Sequence, residues 1–239
     1  MATMKGLLLA LRAAVGAAAL AALPAHADLV TSPADLPVTP FAFTLGFNAP
    51  AGSNLTSPVV LGRGVTFSTS GAPGSLGEAP LGIWYLEDSA LGGGNGRWSQ
   101  GKTFAGVDGD FASDGSVVAM RFSFDKPVQG VGGFMNYDPT YTFGVSGSLP
   151  LPLYLAALDT AGNVLEDWEV PILTPGGENE GAFYGIGRGS ADIAAFVISG
   201  PFAVVDDLQV AAVPEPSTWA MLLAGLALLG YSARRSRGG

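Results

Sequence analysis

The chain has 239 residues, a formal net charge of −9, no cysteine and a single histidine, His26. Without cysteine there is no thiol nucleophile, disulfide framework or thiolate metal site. The acidic balance excludes nucleic acid as a partner, because binding to phosphates depends on Lys and Arg.

Residues 1–27 read as a secretory signal peptide. Lys5 and Arg12 supply positive charge, residues 13–23 form an apolar run, and Ala25-His26-Ala27 is an Ala-x-Ala cleavage site. The expected partners are the Sec translocon and signal peptidase, and cleavage after Ala27 starts the mature chain at Asp28. That cut removes His26, so Ser-His-Asp chemistry and His-based Zn or Cu sites are excluded from residues 28–212. This region holds six basic residues (Arg63, Arg97, Lys102, Arg121, Lys126 and Arg188) against nineteen acidic ones, a net charge of −13. At about 185 residues it is long enough to bury a core without disulfides.

Short apolar runs broken by Gly, Pro, Asn and Asp fill this region, with little helical periodicity. Strands are expected at 41–47, 58–69, 83–86, 116–124, 130–137, 141–145, 151–158, 164–170, 182–187, 193–199 and 202–210. Around Met120, Phe122 and Phe124 the alternation is strict, with Arg121 and Ser123 facing the other way. A hairpin is expected over 151–170, turned at 159–163, and a second over 193–210, turned at Gly200-Pro201. Evenly spaced short strands predict one all-β domain over 28–212, an antiparallel β-sandwich of jelly-roll type. The Gly-rich stretch 91–96 is expected to be a surface loop.

Several groups invite a chemical reading. Asp108, Asp110 and Asp114 lie on a turn-rich loop that can offer oxygen ligands to Ca²⁺, although the spacing departs from an EF-hand. No other cofactor is expected. Asp206 and Asp207 fall in the last expected strand, where alternation sets Val204, Asp206 and Leu208 on one face, so one carboxylate points inward and needs a partner. A structural role there, tying down a neighbouring loop, competes with ligand binding. Residues 96–103 fit the P-loop pattern, yet neither a preceding buried strand nor a following helix is expected. Glu166 with Glu169, or Glu178 with Glu180, could form a glycosidase pair only if about 5 to 9.5 Å apart across a cleft. Trp84, Tyr85, Trp98, Tyr137, Tyr141, Trp168 and Tyr184 could stack on sugar rings, against core packing as the plain alternative.

The last stretch has three parts in order: Val213-Pro214-Glu215-Pro216, an apolar run from Trp219 to Tyr231, and Arg234, Arg235 and Arg237. About fifteen apolar residues span roughly 22 Å of a hydrocarbon core near 30 Å. The charge-free run, its flanking aromatics and its one-sided arginines predict a short transmembrane helix at 217–233 with a cytoplasmic C-terminus. The leader's basic end points the same way, placing 28–212 outside the inner membrane. The prolines favour extended backbone that keeps the motif open to an enzyme.

This tail resembles the PEP-CTERM sorting signal. The resemblance rests on Val213, Pro214, Glu215 and Pro216 and on the three arginines, and it covers about the last 26 residues. It implies recognition and cleavage near Pro214–Pro216 by an exosortase, a membrane-embedded Cys transpeptidase-like enzyme of Gram-negative bacteria. It also implies export, a membrane-anchored precursor, and a cell-surface or matrix destination linked to exopolysaccharide or biofilm. The stretch 202–210 resembles the closing hairpin of many such proteins. The expectation is a non-catalytic surface protein, with a carbohydrate-binding module and a carboxylate-dependent glycoside hydrolase as alternatives.

Overall fold

The computed structural model describes residues 27–37, 39, 42–47, 52–78, 95, 97–98, 103–107, 109, 117–138, 152–174, 178–179 and 181–212. In chain order the strands are β1 (Ala27–Val30), β2 (Phe43–Leu45), β3 (Gly52–Leu55), β4 (Val59–Gly62), β5 (Val65–Ser70), β6 (Gly74–Glu78), β7 (Arg97–Trp98) and β8 (Thr103–Val107). They continue with β9 (Ala119–Val128), β10 (Gly130–Asn136), β11 (Leu153–Leu158), β12 (Val164–Val170), β13 (Glu178–Asn179), β14 (Ala182–Arg188), β15 (Ile193–Ser199) and β16 (Val204–Ala211). One 3-10 turn, Pro33–Asp35, is capped by the Ser32 hydroxyl, which accepts from the Ala34 N–H. Among the described residues no helix is long and apolar enough to cross a membrane; the expected helix at 217–233 lies outside them.

Two antiparallel sheets make the body, as the all-β expectation requires. The first runs β1-β14-β10-β16-β8-β6-β3, with β2 also paired to β16; the second runs β12-β11-β15-β9-β5-β4. A third, two-stranded sheet pairs β13 with β7 in parallel. One core joins the two large sheets: Phe67, Phe122, Leu155, Phe196 and Ile198 from one, Met135, Ile186, Val205, Leu208 and Val210 from the other. Phe122 sits at its centre, 5.5 Å from the Phe67 ring and 5.9 Å from that of Phe47. β9 alternates as its sequence demands, with Met120, Phe122 and Phe124 buried and Arg121 and Ser123 half-buried. On the outer face of the first sheet, Val30, Leu36 and Phe183 form a smaller cluster, where Phe134 meets Phe183 edge-on at 5.4 Å.

Three expectations need correction. The stretch 58–69 is a hairpin rather than one strand, because Gly62, Arg63 and Gly64 take positive φ of 99°, 51° and 75° and turn β4 into β5. The segment 193–210 is no hairpin: β15 belongs to the second sheet and β16 to the first, and residues 200–203 carry the chain across the core. Finally, β1, β3, β6 and β8 form strands that apolar alternation does not mark. The expected strands 83–86 and 141–145 lie outside the described residues.

Both ends of the sandwich can be followed through the register. Asp28 pairs with Gly187, Gly187 with Gly130, and Gly130 with Ala211, so one cross-strand row joins β1, β14, β10 and β16. β1 starts at this pole and β16 finishes there. The strands β5, β10, β12 and β15 end at the opposite pole, where β9 and β11 begin.

Candidate functional site

At that second pole, Asn95 is the organising residue. It is 2% exposed, although its place in the run 91–96 predicts surface. Its Nδ2 donates to the carbonyls of Ile172 at 2.9 Å and Tyr137 at 3.3 Å, and its Oδ1 accepts from the Thr174 N–H at 3.4 Å. Its own carbonyl accepts from Asn136 Nδ2 at 3.0 Å and from the Thr174 hydroxyl. One amide side chain therefore ties the ends of β10 and β12 to the chain that leads into β7. Buried amides must be satisfied in this way, since each orphaned group costs about 1–3 kcal/mol. The sequence signal is thin, a single amide side chain amid glycines.

Around this hub the backbone is close-packed. Gly181 has φ of +72°, and a Cβ there would lie 2.0 Å from the Met135 carbonyl oxygen, so a side chain is incompatible with the strand contact. Tyr137 is buried beside Asp138, whose N–H donates to the Pro201 carbonyl at 3.0 Å. Burial pushes the Tyr137 phenol above its ordinary range, and the negative charges of Glu169 and Asp138 push it further.

Asp206 and Asp207 are separated by a bulge. Gly132 pairs with Gln209 and Phe134 with Asp206, so Asp207 and Leu208 together oppose Gly133. Asp207 takes φ of +47° and is exposed. This extra residue resets the alternation: Val205, Leu208 and Val210 enter the core, while Asp206 shares the outer face with Phe134. The expectation that Val204, Asp206 and Leu208 share a face is thus overturned. Asp206 is nonetheless buried, and its Oδ1 accepts from the Thr103 hydroxyl at 3.1 Å and the Asp207 N–H at 2.7 Å. The carboxylate fastens the first residue of β8 to the central strand and closes the bulge.

The pole where β16 ends is built from tight turns. Gln129 donates its N–H to the Ala211 carbonyl and accepts from the Arg188 N–H, both at 2.8 Å, bridging the strands that flank the chain's exit. Arg188 grips Asp192 through two hydrogen bonds of 2.6 and 3.1 Å and lies 3.8 Å from Glu166. In the β11–β12 turn, Asp159 accepts from the N–H groups of Ala161 and Asn163, both at 2.8 Å, and from the Asn163 side chain at 2.9 Å. The Asn163 side chain, then its backbone, holds the Asp159 carboxyl below its ordinary range. A shallow groove of about 320 Å³ opens beside Ala212, with the Arg63 guanidinium 5.3 Å from the centre of the Phe43 ring.

The other sequence candidates fare as follows. Val213, Pro214, Glu215, Pro216, Arg234, Arg235 and Arg237 lie outside the described residues, as do Ala25, Asp108, Asp110 and Asp114. Ala27, the expected last residue of the leader, already pairs with Arg188 in β1. Glu166 and Glu169 sit three apart on an uninterrupted part of β12 and so face opposite sides of the strand; they share no cleft. Glu180 lies outside the described residues, and Glu178 contributes its backbone to β13. Thr103, which ends the P-loop-like stretch, begins strand β8 where a phosphate site needs a helix. Tyr137 is core, and Trp168 and Tyr184 pack against the core, so these three rings build no common exposed platform. Trp84, Tyr85 and Tyr141 lie outside the described residues.

Fold and exit pole together define a two-sheet β domain whose central strand runs directly into an apolar, Arg-ended tail. Residues 212–237 match the family model of the PEP-CTERM protein-sorting motif. The chain therefore carries a PEP-CTERM sorting motif, which implies export, a membrane-anchored precursor and an exosortase as processing partner. No curated protein and no solved structure matches the chain.

Proposed function

We propose that this chain is a non-catalytic surface or matrix protein of a Gram-negative bacterium, sorted by an exosortase and associated with exopolysaccharide in a biofilm. The carrying observation is that the motif begins at Ala212, one residue after β16 ends, so the last strand of the domain leads directly into its address. Glu166 and Glu169 on opposite faces of β12, with Glu166 near Arg188, favour a non-catalytic role over carboxylate hydrolysis. Winding that alternates between the sheets from β9 to β11 and from β14 to β16 supports a jelly-roll-like sandwich. In this reading the Arg63–Phe43 pole faces the processing enzyme, and the Asn95 pole points away from it. Ca²⁺ on Asp108, Asp110 and Asp114 would brace the connection between β8 and β9.

Replacing Pro214-Glu215-Pro216 by alanines tests the sorting step. The variant is expected to stay uncleaved in the inner membrane, while the wild type reaches the exopolysaccharide fraction. Normal release of the variant contradicts the reading.

A further inference from the structure

The row Asp28–Gly187–Gly130–Ala211 spans three inter-strand spacings, which sets the first mature residue about 14 Å from the last strand residue. Both chain ends thus leave by one pole. Their tethers are short. From Ala212 to Trp219 the chain reaches at most about 25 Å, and from Leu23 to Asp28 about 18 Å, at roughly 3.5 Å per residue. Crossing the sandwich from this pole to the other takes the seven residues of β10, about 20 Å. Ends leaving at opposite poles would strain against tethers of this length; ends at one pole do not.

The same pole carries basic side chains. Arg63 projects from the β4–β5 turn, Lys126 lies near the end of β9, and Arg188 ends β14, which makes three of the six basic residues of the region 28–212. Among the described residues the acidic side chains at this pole are Asp28, Asp35, Asp125, Asp159, Glu166 and Asp192. Three basic side chains of a domain with net charge −13 thus sit where the two ends leave, and they offset part of the repulsion between this pole and anionic lipid.

We propose that this pole is the face that the folded domain turns toward the bilayer in the precursor, with the two ends leaving side by side into the membrane. The inference rests on the reading of the tail as a membrane anchor. It has a consequence for maturation. The domain completes its fold, β1 included, while both ends are still held, and the sorting enzyme meets Pro214–Pro216 with the Gln129–Arg188 turns facing it.

Because the chain contains no cysteine, single-cysteine probes report cleanly. The test places T160C, at the tip of the β11–β12 turn, and L173C, 87% exposed just beyond β12 at the other pole, in the full chain. Each is labelled with a donor dye, after its melting curve is matched to wild type. The labelled protein is then reconstituted in phosphatidylethanolamine–phosphatidylglycerol vesicles that contain an acceptor lipid and no exosortase. Energy transfer from position 160 is expected to exceed that from position 173 by at least twofold. Equal transfer, or more from position 173, in protein that resists an alkaline wash overturns the orientation alone. Protein washed off the vesicles overturns the anchoring reading and this inference with it.

Discussion

The two poles of the sandwich are held together by different physics. At the Asn95 pole one buried residue closes the ends of β10 and β12 with five hydrogen bonds, three through its amide side chain and two at its backbone carbonyl. At the tail-bearing pole the contacts are short-range and partly wet: Asp159 serves its own turn, Arg188 serves Asp192 four residues away, and Gln129 stitches three strands through backbone alone. A central buried hub is costly to lose, because its partners cannot turn to solvent. Surface turns are individually cheap, and several share the load.

Substitutions can break this contrast. Asn95→Ala leaves the carbonyls of Tyr137 and Ile172 and the Thr174 N–H without a partner, and is expected to cost about 3 kcal/mol. For a domain of this size that lowers Tm by about 10 °C in thermal unfolding. A shift below about 3 °C would show that Asn95 is no hub. Arg188→Ala removes a partly buried ion pair at the other pole, its arginine side chain 9% exposed and that of Asp192 33%, and should cost about 1 kcal/mol, with the difference shrinking in high salt. A loss as large as that of Asn95→Ala would erase the contrast.

The smallest effect belongs to Asp159→Ala. The folded-state pKa of Asp159 is depressed by its bonds to Asn163, so its contribution is present above the ordinary Asp range and is lost as pH falls through the folded value. Wild type should therefore melt slightly above the variant at neutral pH, and the two curves should converge below about pH 4. A gap that widens on acidification would contradict the assigned bonding.

The sequence exposes some of this and hides the rest for physical reasons. β12 and β15 are legible to the residue, and β10 nearly so, because short runs rich in apolar residues end at turn residues, whereas β9, expected at 116–124, runs from Ala119 to Val128. β6, Gly74–Glu78, carries almost no apolar pattern: Leu76 alone supplies a large apolar side chain to the core, and the rest of the strand is held by backbone pairing with β8. The step from β15 to β16 looks locally like a hairpin turn, since Gly200-Pro201 bends the chain in either case, and only the partner strands decide which sheet receives it. The bulge at Asp207 is invisible to a period of two, and it is what moves Leu208 into the core. Asn95 hides among glycines because its partners are carbonyls 42 and 77 residues away in the chain. The sorting motif, by contrast, depends on contiguous residues and needs no fold to be read.

That a folded passenger is joined to a removable address is tested most directly by the intact mass of the protein recovered from the cell surface or matrix. The account predicts a chain that begins at Asp28 and ends near Pro214–Pro216, lacking the apolar run and Arg234, Arg235 and Arg237. A surface form whose mass still includes the tail to Gly239 would contradict it.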